Sequence, residues 1–367
     1  MSKEIATLQH RLPGSLRGQK SWTKGGQHAS TGEVVRQLLK VITAIGLSTL
    51  AFASAGIGQP ATEKSLQLET KIPLGNVTGR IDHMAIDLEK HRIFVAELEN
   101  DSVGVVDLNT RKVVHRVSGL KEPQGVAYIR SNDSLYVASG GDGSVRVFRG
   151  PDYAPAGRIE LGADADNIRA DLPANRILVG FGSGAIAVID LRDNAKTKTF
   201  ALKAHPESFQ VDAASGQVFV NVPNARTIAV LDANTGKEAH TWPLRHGGNF
   251  PMALDLERKR VLVAFRNPAK LAAFDWEIGG LASEVDICGD ADDLFVDQKL
   301  NRICVICGAG VIDVLRADDA KYARVARVPT VAGARTGLFV PEMDRLLLGV
   351  RAGFKEPAAI WVYRTAP

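Results

Sequence analysis

The sequence predicts an all-β fold, a seven-bladed β-propeller of four-stranded antiparallel blades closed by an N-terminal strand. Three observations lead there. An apolar strand motif recurs seven times, as "RIFVA" (92–96), "SLYVA" (134–138), "RILVG" (176–180), "QVFVN" (217–221), "RVLVA" (260–264), "RICVI" (302–306) and "RLLLG" (345–349), at offsets of 42, 42, 41, 43, 42 and 43 residues. Within each repeat the apolar period is two, the mark of a strand. The last repeat lacks a fourth strand, and the segment before the first repeat supplies one.

Residues 1–55 are expected to be a leader outside the fold. They hold seven Lys/Arg against two Asp/Glu, and the rest of the chain holds 38 against 39, so the net charge of +4 belongs to the leader. Arg36 and Lys40 precede an apolar run from Val41 to Ala53 and then small residues, the order of a secretory signal with cleavage near Ala55. The run is short for a bilayer, which takes about 20 apolar residues, so no transmembrane span is expected in the mature protein and the localisation is periplasmic or secreted. An uncleaved anchor is the alternative. Residues 56–65 read as a linker and 66–367 as the propeller domain.

The segment Leu66 to Leu74, apolar at 66, 68, 72 and 74, resembles the fourth strands "GRIELG" (157–162) and "HTWPLR" (240–245). It is expected to complete the last blade. The first repeat then reads as four strands, "DHMAID", "RIFVAE", "SVGVVDL" and "KVVHRV". Third strands follow in later repeats as "SVRVFRG" (144–150), "AIAVIDL" (185–191) and "TIAVLDA" (227–233), joined by polar or glycine-bearing links such as Gly140-Gly141-Asp142-Gly143. The fifth and sixth repeats continue with "KLAAFDWEIGGLA" and "VIDVLRADDAKYA", and the chain ends on "AIWVYRT" (359–365). Such a small sheet is apolar on both faces and cannot bury them alone. Radial stacking makes each repeat the core of its neighbour, whereas a β-sandwich leaves the sevenfold recurrence unexplained.

The first two repeats and "TIAVLDANTGKEAH" (227–240) resemble the YVTN-repeat β-propellers of the YncE-like kind. Their units run from an aromatic-Val strand through "V-x-V-[VI]-D-x-x-T" to a Pro and Gly before the next blade. The resemblance covers roughly 66–367; repeats five to seven lose the Thr turn. It implies an exported binding or scaffold protein.

Function is sought where the repeats differ. Asp87/Arg92, Asp171/Arg176, Asp255/Arg260 and Asp297/Arg302 share one spacing across the first hairpin and read as structural pairs. The links leading into each inner strand open on the face beside the channel. Aligned to Asp82-His83 they carry Gln124-Gly125, Asp166-Asn167, Glu207-Ser208, Phe250-Pro251, Asp292-Asp293 and Arg335-Thr336. The candidate ligand-binding residues are therefore Asp82, His83, Gln124, Asp166, Asn167, Glu207, Asp292, Asp293 and Arg335. Converging carboxylates raise one another's pKa or call for a cation, so a divalent ion such as calcium is one expectation, and an open water-filled channel is the other. His205 and His246 lie in equivalent links, and Glu97, Glu99, Arg266, Arg351 and Lys355 are expected at the rim.

No nucleophile elbow, HExxH or phosphate loop is present, and "GFGSG" (180–184) lies between two strands, so no catalytic residue is assigned. Cys288, Cys304 and Cys307 read as core residues. "CVIC" places its two cysteines on opposite faces of a strand, which argues against a shared metal site; a disulfide between two of the three stays open if the protein is exported. The near-neutral mature charge gives no nucleic-acid signal. The expected protein is a monomeric binding module for a protein, peptide or small-molecule ligand on the channel face. The alternative is a metal-assisted hydrolase or lyase, such as a lactonase, using the acidic ring.

Overall fold

The computed structural model describes residues 65–366. Residues 1–64 and Pro367 lie outside the described residues, and with them the expected leader, export signal and cleavage site and nearly all of the expected linker. The described residues form seven four-stranded sheets, each with its strands in simple sequential order from the inner strand outward, except the last. In the first blade these are Met84–Asp87, Arg92–Glu97, Ser102–Asp107 and Lys112–Ser118. In the last, Gly337–Val340, Arg345–Val350 and Ala359–Thr365 are followed outward by Leu66–Pro73, antiparallel to Ala359–Thr365 with a bulge between Leu68 and Thr70.

The period-two apolar pattern explains how the blades stack. Ile93 and Val95 pack with Val340, Leu347 and Ile360 of the last blade. Phe94 and Ala96, on the other face of the same strand, pack with Val126, Leu135 and Val137 of the second. Each of the seven apolar clusters draws on two neighbouring blades, so the clusters fill the seven interfaces of a ring. With about 1.5–3 kcal/mol gained per fully buried aliphatic side chain, these shared faces hold the ring together.

The Asp-x-x-Thr element of the repeat has a local cause. Asp107 Oδ1 accepts hydrogen bonds from the Thr110 backbone N–H at 2.8 Å and its hydroxyl at 3.0 Å. Asp232 and Thr235 repeat the arrangement at 2.7 and 2.8 Å. Where Thr is lost the aspartate still organises the turn, as Asp275 does by accepting from the N–H of Glu277 and Ile278.

The repeated Asp/Arg pairs stand directly opposite in register, but only Asp171 and Arg176 form the expected ion pair, at 2.8 Å. Arg92 donates to the Tyr153 hydroxyl, Arg260 reaches Asp275, and Arg302 donates to the Ala366 carbonyl. The aspartates are held by turn N–H groups: Asp87 by Glu89 and Lys90, Asp255 by Arg258, Asp297 by Leu300. The role is structural, but at three of the four positions it is an Asx turn and not a charge pair, because the Tyr153 hydroxyl, Asp275 or the Ala366 carbonyl takes the arginine.

Cys288, in the link into the sixth blade, is disulfide-bonded to Cys307 at the end of the strand Arg302–Cys307. Cys304 is free and buried, and it faces the other blade interface. The disulfide that the sequence left open between two of the three cysteines thus joins Cys288 to Cys307, and Cys304 alone is a simple core residue.

Candidate functional site

The seven inner strands surround a central channel of about 490 Å3, lined by His83, Arg169, Ser208, Gln210, Asp293 and a majority of apolar side chains. A smaller recess of about 30 Å3 at one end shares His83, Ser208 and Asp293 with it. The recess is lined by Arg80, Asp82, His83, Asp166, Asn167, Glu207, Ser208, Phe250, Asp292 and Asp293. Seven of the nine candidate residues thus meet at one point, although they come from four different links. Close approach of the links requires Gly125: a Cβ there would lie 2.0 Å from the Asp166 carbonyl oxygen.

Asp82 is buried and faces Arg80 Nη2 at 2.8 Å and His83 Nε2 at 3.7 Å. Asp166 sits between two imidazoles, with His83 Nε2 4.0 Å from Oδ1 and His205 Nε2 4.0 Å from Oδ2. His205 Nδ1 donates to the Gly182 carbonyl at 2.6 Å, which fixes the ring. Burial disfavours the Asp166 carboxylate, yet the neighbouring His205 and His83 imidazoles and the charge of Arg80 leave its pKa below the usual range. The nearby Asp166 carboxylate, with the Gly182 carbonyl and Asp164, raises His205 to about 9, against the effect of burial. Burial also opposes a charge on His83, but Asp82, Asp293 and Asp166 outweigh it and raise its pKa.

Two carboxyls are pushed up to about 7. For Glu207 the cause is burial, reinforced by Asp166 and partly opposed by His205. For Asp293 it is burial again, with His83 and the Gly337 N–H, which donates at 2.6 Å, opposing. Asp292 is held by Arg266 and, at 3.0 Å, by Arg335 Nε. Arg335 also donates to Asp290 at 3.1 Å, and the Arg266 guanidinium stacks 3.8 Å from the Phe250 ring centroid.

The expected calcium site is not formed. Among the described residues no group of three or more His, Cys, Asp or Glu is placed to hold a metal ion. The protein's own cations, Arg80, Arg266, Arg335, His83 and His205, take the carboxylates instead. One acceptor at the mouth stays open: Asn167 Oδ1 is buried and has no hydrogen-bond partner, whereas Asp82 Oδ2 is taken by Arg80.

Several candidates lie elsewhere. Gln124 is not among the residues lining the recess, and its carboxamide lies over Gly140. His246 pairs with Glu284 at 2.9 Å and does not join the other two histidines. Glu97, expected at the rim, is fully buried against Ser102 and Arg116. Glu99 packs on Gly79 and Arg351 on Gly333, and Lys355 is exposed. Sequence reasoning missed Arg80 and Arg169. The signal for Arg169 was present: the equivalent inner-strand positions hold Ala85, Ala127, Gln210, Ala253, Phe295 and Leu338, so it breaks the repeat by a charge.

No protein-family model matches the chain, and no curated protein matches it significantly. Among the described residues no helix is long and apolar enough to cross a membrane.

Proposed function

We propose that the protein is an exported binding module whose ligand occupies the central channel and places a polar end in the charged recess at its mouth. The observation that carries this is the buried, unpartnered acceptor Asn167 Oδ1, whose residue lines the recess. A buried acceptor without a donor is costly, about 1–3 kcal/mol, and a bound donor group recovers that cost. The volumes agree with this placement: the recess admits one small polar group, while the channel falls in the range of small-molecule sites, about 300–1,000 Å3.

Export is supported by the leader's residue order and by the Cys288–Cys307 disulfide, since such bonds persist chiefly in oxidising compartments. Kinship with the YVTN-repeat propellers is supported by the Asp107–Thr110 and Asp232–Thr235 turns, which give the shared motif a physical role. A second reading, acid–base catalysis, is favoured by one feature: Glu207 and Asp293, both at about 7, are poised to exchange protons near neutrality beside His83. A metal-assisted form of it lacks the donor set.

A thermal-shift screen of small metabolites tests the binding reading. Hits should lose their effect with Asn167→Ala and keep it with Glu89→Gln, a change at an exposed pair outside the channel. Hits indifferent to Asn167→Ala would place the ligand elsewhere. Turnover of a hit that is lost in Asp293→Asn would favour catalysis.

A further inference from the structure

Arg169 is the only Arg or Lys among the residues lining the channel. Its Nη1 donates to the carbonyl of the adjacent Ile168 at 2.8 Å, and its guanidinium lies 5.6 Å from the Phe209 ring centroid. Among the described residues no carboxylate lies within ion-pair distance of it, although Arg80, Arg266 and Arg335 each hold one. An arginine does not lose its proton in a protein, so the channel carries a standing positive charge in apolar surroundings. The wall beyond it is apolar, with Leu254, Val296 and Phe339.

We propose that the channel binds a small organic monocarboxylate, its carboxylate paired with the Arg169 guanidinium and its apolar body against Leu254, Val296 and Phe339. The inference rests on the channel-binding reading above and names the ligand's class. Guanidinium and carboxylate match as a two-point, charge-assisted pair. A phosphate offers the same geometry but a second charge, and Asp293 and Asp166 already act on Arg169, so a dianion is repelled where a monoanion is neutralised. The apolar wall rewards a hydrocarbon body at about 25 cal/mol per Å2 removed from water.

Isothermal titration calorimetry of the purified chain with hexanoate, hexanamide and hexyl phosphate tests this. Hexanoate should bind saturably, and hexanamide and hexyl phosphate should each bind at least about tenfold more weakly, a difference of about 1.4 kcal/mol. Arg169→Gln should abolish the preference for the acid; it breaks no ion pair, and a far-UV spectrum unchanged from the parent confirms its fold. Ala253→Leu, at the equivalent inner-strand position and lining the channel with Arg169 intact, should weaken all three ligands. If acid and amide bind equally well and both are lost in Ala253→Leu, the carboxylate class is wrong and the channel reading survives. If hexanoate binds unchanged to both variants, class and channel reading fail together. No saturable binding of hexanoate up to about 10 mM also overturns the class, and the thermal-shift screen then judges the channel reading on its own.

Discussion

Folding stability should fall as pH rises from about 5 to about 9, and the channel mouth should be responsible. Asp293 and Glu207 titrate at about 7 in the folded protein, against roughly 4 in an unfolded chain. Between those values the folded state keeps protons that the unfolded state has released. Their contribution is fully present below about pH 4 and is lost as pH rises through about 7. His205, at about 9, adds the same sign at higher pH: its stabilising charge is present below about 6.5 and disappears through about 9. One pH unit corresponds to about 1.4 kcal/mol per proton, so each carboxyl taken singly has a ceiling of about 3–4 kcal/mol. They share Arg and His counter-charges and are not additive, which brings the net loss to about 2–4 kcal/mol, or on the order of 5–10 °C in Tm. The surface carboxylates held below their usual pKa, such as Asp107, Asp190 and Asp232, act in the opposite sense, but only as pH falls below about 4. Calorimetric melts from pH 5 to 9 on the parent and on Asp293→Asn provide the test. The substitution keeps an acceptor for the Gly337 N–H and should flatten the profile, with little effect at pH 5 and a clear gain at pH 9. A parent Tm that is flat or rises over this range, or a variant that runs parallel to the parent, would refute the reasoning.

Reducing Cys288–Cys307, which closes a separation of 19 residues, should cost about 3 kcal/mol in denaturant melts; an unchanged midpoint would show that the staple adds nothing. Deleting residues up to 73 should lower the Tm and promote association, because Ala359–Thr365 becomes an exposed edge and Leu66 and Ile72 leave the core; equal melts would contradict this. Mass spectrometry of the protein from a native-like host should find an N-terminus near residue 56, and an extracytoplasmic form that retains Lys40 would refute cleavage.

The ring was legible because its cause is local and repeated. Ile93 and Val95 alternate with Phe94 and Ala96, and that alternation alone requires an apolar neighbour on each side. The blade links were legible as a set, since topology brings their positions together whatever their residues. What they do there was not. Whether Asp292 waits for calcium or for an arginine depends on Arg266 and Arg335, which lie 26 residues before it and 43 after it in the chain. Glu97 looked like a rim charge, but it points inward to Arg116, a partner that only the strand register reveals. The Cys288–Cys307 bond was hidden for a similar reason: the conspicuous CxxC spacing joins residues on opposite faces, and the true partner lies in a loop of the same blade's approach.

The central claim is that the channel is a ligand site anchored at its charged mouth. The most direct test is a crystal structure of the protein with the strongest hit from the ligand screen. Density in the channel, with a donor group within about 3 Å of Asn167 Oδ1, is the predicted result. A ligand seated on the outer faces of the blades, with the channel holding only water, would contradict the account.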